Sequence, residues 1–132
     1  MAAPVSPTEL HSFLAFDFGL RRIGVASGTR LLGSAEARGT IKGGDFDAIA
    51  ALIKTWQPDA LVIGVPRHPD GAPHEMTAKA QNFGRRLSGR YHLPVFEVDE
   101  RYTSVEAEAE GAQDVDAAAA ALILEQFFRE HP

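Results

Sequence analysis

Two segments of this 132-residue chain are apolar almost without interruption: Ser12–Phe18 (SFLAFDF) and Ala60–Val65 (ALVIGV). A strand with one wet face alternates apolar and polar residues, whereas a near-continuous apolar run of this length belongs to a strand covered on both faces. Pro66 closes the second run. Two such strands demand layers of structure above and below a central sheet, and the segments between them supply those layers.

After the first run, Gly19-Leu20-Arg21-Arg22 makes a turn and Ile23–Ser27 (IGVAS) returns as a second strand. Gly28–Gly33 turns again. Ser34–Ile41 (SAEARGTI) then alternates polar and small residues, as a half-exposed third strand does. The period next changes to that of a helix. Asp45 can cap a helix whose apolar positions are Phe46, Ile49, Ile53 and Trp56, and Pro58 ends it at Gln57. Beyond Ala60–Val65, Pro69-Asp70-Gly71 signals a turn in the loop Arg67–Pro73. A second helix is expected from about His74 to Gly89, with Met76, Ala80, Phe83 and Leu87 on one face. Pro94–Glu100 (PVFEVDE) reads as a fifth strand, and Thr103-Ser104-Val105-Glu106 as a capping box opening a short helix. A last helix, rich in alanine, leucine and phenylalanine, starts near Asp114–Asp116 and runs to about Glu130. The order β-β-β-α-β-α-β-α predicts an α/β fold whose sheet joins three antiparallel strands to two parallel ones. Residues 1–11 hold two prolines and no periodic pattern and are expected to be a flexible leader to one domain over 12–132.

Composition excludes several classes of protein. There is no cysteine, so neither disulfides nor thiolate metal ligation is available. No basic-then-apolar leader and no bilayer-length apolar run occurs, so a soluble, cytoplasmic protein without a membrane partner is expected. The formal net charge of -5 is unusual for a nucleic-acid binder. Such a chain would have to meet phosphates through local arginines, or through metal ions that cancel its own carboxylates.

Acids at structurally awkward positions are the main candidates for chemistry. Asp17 lies inside a buried strand, where a carboxylate costs several kcal/mol unless paired or metal-bound. Asp99 and Glu100 close the fifth strand, at the carboxyl end where α/β sheets build their sites. Strand alternation sends the two to opposite faces, so one of them is the better ligand. Asp116 opens the last helix, and the small residues 117–121 would let that helix approach the sheet closely. Each acid has an ordinary structural explanation: a bond to backbone or to Arg22 for Asp17, an answer from Arg101 for the pair, a helix cap for Asp116. Together they supply hard oxygen ligands from three elements, the set needed to hold magnesium ions against a phosphodiester. Arg85, Arg86 and Arg90 lie toward the polar side of the second helix, as a solvated face or a phosphate contact. His68, His74 and His92 have no metal-ligand spacing and read as loop residues. No serine sits in a nucleophile elbow, and the Gly-rich turn at 19–24 lacks the Lys-Ser/Thr of a phosphate-binding loop.

The motifs, taken in order, resemble the YqgF/RuvX family of pre-16S ribosomal RNA nucleases, also described as Holliday-junction resolvase-like proteins. The resemblance rests on Phe16-Asp17-Phe18-Gly19 with Arg22-Ile23-Gly24-Val25-Ala26, and on Val62-Ile63-Gly64-Val65-Pro66 with Asp70-Gly71. It continues in Pro94-Val95 leading to Val98-Asp99-Glu100-Arg101 and Thr103, and in Val115-Asp116-Ala117-Ala118-Ala119 followed by Leu122-Ile123-Leu124. It implies a ribonuclease H-like fold, a Mg²⁺- or Mn²⁺-dependent nuclease site and a role in maturing the 5′ end of 16S rRNA. Carried over by position, it points to Asp17, Glu100 and Asp116 as catalytic, with Asp99 as a further metal ligand. Arg21, Arg22, Arg67, Arg85, Arg86 and Arg101 are the expected nucleic-acid contacts. Two departures stand out: the loop Glu108–Asp114 is short and acidic where relatives often carry lysine, and Gly19-Leu20-Arg21 replaces the usual Gly-Thr-Lys. Structured RNA is the expected partner of a monomer or homodimer. The alternatives are a resolvase of branched DNA and a non-catalytic RNA-binding assembly factor.

Overall fold

The computed structural model describes residues 6–100, 111 and 113–132. Its elements are β1 (Ser12–Asp17), β2 (Arg22–Thr29), β3 (Ala35–Lys42), α1 (Phe46–Trp56), β4 (Ala60–Val65), α2 (Glu75–Tyr91), β5 (Val95–Asp99) and α3 (Val115–Glu130). The short helix expected at Thr103–Glu106 lies outside the described residues. One five-stranded sheet runs in the order β3-β2-β1-β4-β5. Its β3–β2–β1 half is antiparallel, while β4 joins β1, and β5 joins β4, in parallel. Both apolar runs are therefore central, and all six residues of β4 are buried.

Alternation along the central strands sorts the core into two layers. Leu14, Phe16, Leu61, Ile63 and Val65 face α1 and α2, where they meet Ile49, Phe83 and Leu87. Phe13, Ala15, Val62 and Val98 face α3 and pack on Ile123, Leu124 and Phe127. Phe13 meets Phe127 at a tilt and Phe128 edge-on, with ring centroids 5.1 and 5.6 Å apart. Each such buried aromatic contributes about 1.5–3 kcal/mol through the apolar area it removes from water.

Helix ends follow the local chemistry. Asp45 accepts a hydrogen bond from the Ala48 amide and caps α1, which stops as Gln57 turns left-handed (φ 46°) ahead of Pro58. Two of the histidines expected in loops bound α2 instead. His74 is its N-cap, with Nδ1 accepting from the Met76 amide at 3.1 Å, and His92 its left-handed C-cap. The Thr77 hydroxyl accepts from the His74 amide at 2.8 Å and donates to the Pro66 carbonyl, which ties the end of β4 to the start of α2.

The amino-terminal ends of β1 and β4 are joined by Asp59, whose carboxylate accepts from the amides of His11 and Ser12 at 2.9 and 3.0 Å. The His11 bond is the main reason its pKa lies below the ordinary value, with the Ser12 bond next. Within the expected leader, Pro7–Glu9 forms a 3-10 turn. Arg30 donates there to the carbonyls of Pro7 and Leu10, and also to that of His131 beyond α3. Among the described residues, no helix is long and apolar enough to cross a membrane.

Candidate active site

The candidate acids gather at the carboxyl ends of the parallel strands. Asp17 ends β1 and pairs across the antiparallel ladder with Gly24 of β2. On the other side Phe16 pairs with Ile63, so Asp17 stands in line with Gly64 of β4. Residues 13 and 15 face α3, and the two-residue period puts Asp17 on that face too. Phe96 and Val98 face α3 as well, and the same period assigns Glu100 to this face and Asp99 to the other. The Glu100 side chain folds back over β4: a methyl built on Gly64 would lie 2.1 Å from its Oε1.

Helix α3 brings Asp116 over the same end. Its small residues let it settle on the backbone of β2, where a methyl built on Gly24 would stand only 1.8 Å from the Asp116 carbonyl oxygen. Farther along, one built on Gly28 would meet Leu124 at 3.0 Å and Phe128 at 3.2 Å. Gly24, Ala26 and Gly28 thus form a flat lane for the helix, and Ala117 and Ala120 are fully buried on it. The first turn is fixed by Asp114, which accepts from the Ala117 amide at 3.0 Å and from the Thr40 hydroxyl at 2.7 Å. The Thr40 bond, followed by the Ala117 bond, holds the Asp114 carboxyl below its ordinary pKa. Because Asp114 is the cap, the side chain of Asp116 is left to point elsewhere, and its Oδ2 meets Arg22 Nε at 3.2 Å.

Asp17, Glu100 and Asp116 therefore share one face at one end of the sheet, separated by Gly24 and Gly64, which put no side chain between them. In this arrangement, among the described residues, no group of three or more His, Cys, Asp or Glu is drawn closely enough to hold a metal ion. The donor set nevertheless suits a hard divalent cation, because the acids offer only carboxylate oxygens.

The arginines divide by position. Arg22 is at the site, paired with Asp116 and 72% exposed along its side chain. Arg21 is exposed in the same β1–β2 turn, its carbonyl bound by the Gly43 amide at 2.8 Å. Arg67 is half-buried after β4, where it bridges to Pro73. Arg85 and Arg86 are exposed on α2, on the opposite side of the sheet from α3. Arg101 lies outside the described residues. Sequence reasoning did not single out Gly64 or the Thr40–Asp114 bond. Gly64 could have been flagged as a glycine interrupting an otherwise large-residue buried strand, while nothing in the sequence signals the second.

A mixed five-stranded sheet, three strands antiparallel and two parallel, with helices on both faces and acids at the carboxyl ends of β1 and β5, defines a ribonuclease H-like domain. Thermus thermophilus RuvC in complex with Holliday junction substrate superposes on it with a TM-score of 0.57 at 12% identity, over 91% of this chain and 94% of that one. The Pelota protein of Archaeoglobus fulgidus shares the fold over 92% of this chain and 34% of its own (TM-score 0.51, 12% identity). Residues 11–130 match the RuvX family, described as Holliday junction resolvase, and the chain belongs to that family. Proteins named "Putative pre-16S rRNA nuclease" are 61% identical in Albidiferax ferrireducens, over 92% of this chain and 80% of that protein. One in Polaromonas sp. is 55% identical, over 99% and 97%. One in Burkholderia mallei is 52% identical, over 88% and 86%.

Proposed function

We propose that this protein is a cytoplasmic nuclease that hydrolyses a phosphodiester in structured RNA, acting on the 5′ region of a 16S rRNA precursor. The observation that supports the reading is that Asp17, Glu100 and Asp116, from three separate elements, share one face at one end of the sheet, beside Gly24 and Gly64. The name shared by the close relatives supports RNA as the substrate. Asp17, Glu100 and Asp116 would hold Mg²⁺ or Mn²⁺, and Asp99, which alternation assigns to the other face, is the further acid that the family resemblance adds. When bound, the metal supplies a Lewis acid for the phosphate and lowers the pKa of an attacking water.

The chain's own residues prepare that chemistry. Arg22 holds Asp116 turned away from the helix end that Asp114 caps. The Glu100 carboxylate lies against the β4 backbone because position 64 carries no side chain. With Arg22, Arg21 after β1, Arg67 after β4 and Arg101, next to Glu100 in the chain, would supply the phosphate contacts.

The test is cleavage of a 5′-extended 16S rRNA precursor and of a four-way DNA junction, each with Mn²⁺, Mg²⁺ or EDTA, by wild type and Asp17→Asn. Metal-dependent cutting of the precursor, lost in the variant, is expected. Full cleavage by Asp17→Asn sinks the assignment. The family's description as Holliday junction resolvase favours a second reading, which predicts cutting of the junction alone, by a homodimer. A folded protein that cuts neither is a binding factor.

A further inference from the structure

A second groove opens at the same end of the sheet, on the face turned away from α3. Phe18 follows Asp17 directly and points to that face, beside Phe83 with ring centroids 4.9 Å apart. Phe46, at the start of α1, closes the other side. From α2 come Lys79, Asn82 and Arg86, and these six residues, with Leu20 and Gly44, line a cavity of about 290 Å³. Lys79, Phe83, Arg86 and Arg90 recur at spacings of four, three and four residues, so they form one stripe along α2. The guanidinium groups of Arg86 and Arg90 lie on Phe46, 4.6 and 4.0 Å from its ring centroid. Among the described residues, no carboxylate comes within ion-pair distance of Lys79, Arg86 or Arg90.

In a chain of net charge -5, three cations with no ion pair among the described residues, set beside an apolar floor, are a local concentration of positive charge. Lysine attracts phosphate as a point charge, and an arginine held over an aromatic ring offers both charge and a planar group. Cations interleaved with planar groups are what single-stranded nucleic acid requires, since unpaired bases stack and the backbone needs neutralising. A duplex keeps its bases stacked internally and has no use for the floor. Asp17 and Phe18 are neighbours in the chain, with Cα atoms about 3.8 Å apart. A strand crossing this end of the sheet therefore passes from the carboxylates into the groove within a few nucleotides.

We infer that the groove between α1 and α2 binds a single-stranded segment flanking the cleaved bond, with Lys79 and Arg86 on its phosphates and a base stacked over Phe18 and the Arg86 plane. The identity of the ligand as RNA rests on the proposed nuclease function.

The test is equilibrium binding, with every protein carrying Asp17→Asn so that nothing is cut. The probes are a short fluorescent single-stranded RNA and the same sequence annealed to its complement, each across a salt series. The single strand is expected to bind more tightly than the duplex. Lys79→Gln with Arg86→Gln, both at exposed positions, should weaken single-strand binding about tenfold and flatten the log K against log salt slope by about 1.4, roughly 0.7 for each lost phosphate contact. Arg86→Lys keeps the charge and loses the plane, so it should cost a few-fold in affinity with the slope unchanged. Unchanged affinity and slope in the double variant would overturn the inference, as would a preference for the duplex. Protein that binds the single strand through these residues, but whose Asp17-intact form cuts nothing, supports the groove and counts against the nuclease reading.

Discussion

The two glycines of the site are intolerant for different reasons. At Gly24 an added methyl meets backbone, the Asp116 carbonyl oxygen at 1.8 Å, and the whole helix must lift to admit it. Gly24→Ala is therefore expected to lower stability by about 1–3 kcal/mol, read from urea unfolding. At Gly64 the nearest obstacle is the far end of the Glu100 side chain, 2.1 Å away, with Ile123 Cδ1 at 2.6 Å. Gly64→Ala should cost about 1–3 kcal/mol as well, yet lose up to about 100-fold in cleavage, because one displaced group is a carboxylate of the site. Equal losses of stability and activity in the two variants would show that Glu100 has no special role. Arg22→Ala frees Asp116 at an exposed position, so stability should change by less than about 1 kcal/mol while cleavage falls. Asp17 was legible in the sequence because an acid inside an apolar run has few explanations. The choice between Asp99 and Glu100 needed strand direction as well, and alternation from Phe96 and Val98 assigns Glu100 to the face of Asp17.

Helix α3 depends on its first turn. Asp114 satisfies the Ala117 amide and binds Thr40 of β3, so one carboxylate caps the helix and fastens it to the edge of the sheet. Asp114→Ala should cost about 0.5–2 kcal/mol. The pH dependence has a definite sign. The folded pKa of Asp114 is depressed, chiefly by the Thr40 hydroxyl and then by the Ala117 amide. Its stabilisation is thus complete above the ordinary value of 3.8 and is lost as pH falls through the lower folded value. Melting temperatures of wild type and Asp114→Asn should accordingly differ most near neutrality and converge in acid. A difference that widens in acid would contradict this account. At the level of elements most of the fold was legible, because the change from a period of two to one of 3.6 and the stops at Pro58 and Pro66 are local signals. The β2–β3 register was not: it shifts between Val25 and Ala26, opposite the left-handed Gly39 (φ 122°), and such a bulge is settled by pairing with a partner strand. The histidine caps of α2 escaped notice because histidine is seldom used in that role.

At the scale of the molecule, a divalent ion that joins three carboxylates from separate elements should stabilise the fold. Saturating Mn²⁺, at about 100 times its dissociation constant, adds about 2.7 kcal/mol and should raise the melting temperature by several degrees. Asp17→Asn should abolish most of that rise, and an equal rise in both proteins would place the ion elsewhere. The two-layered architecture was legible from the apolar runs, whereas the segregation of charge was not. Helix periodicity puts Lys79 and Arg86 on the polar side of α2, but only folding sets them beside Phe18 and Phe46. Arg30 has a consequence of another kind. By holding the carbonyls of Pro7, Leu10 and His131 with one guanidinium, it brings the two ends of the described chain to the same point. The fold is in effect a closed circuit, with its seam at the amino-terminal ends of the parallel strands. The order in which the chain is read along that circuit is incidental to the site at the far end. A circularly permuted protein, with residues 7 and 131 joined by a short linker and new ends opened at the exposed turn around Gly33, should fold and keep its carboxylates in place.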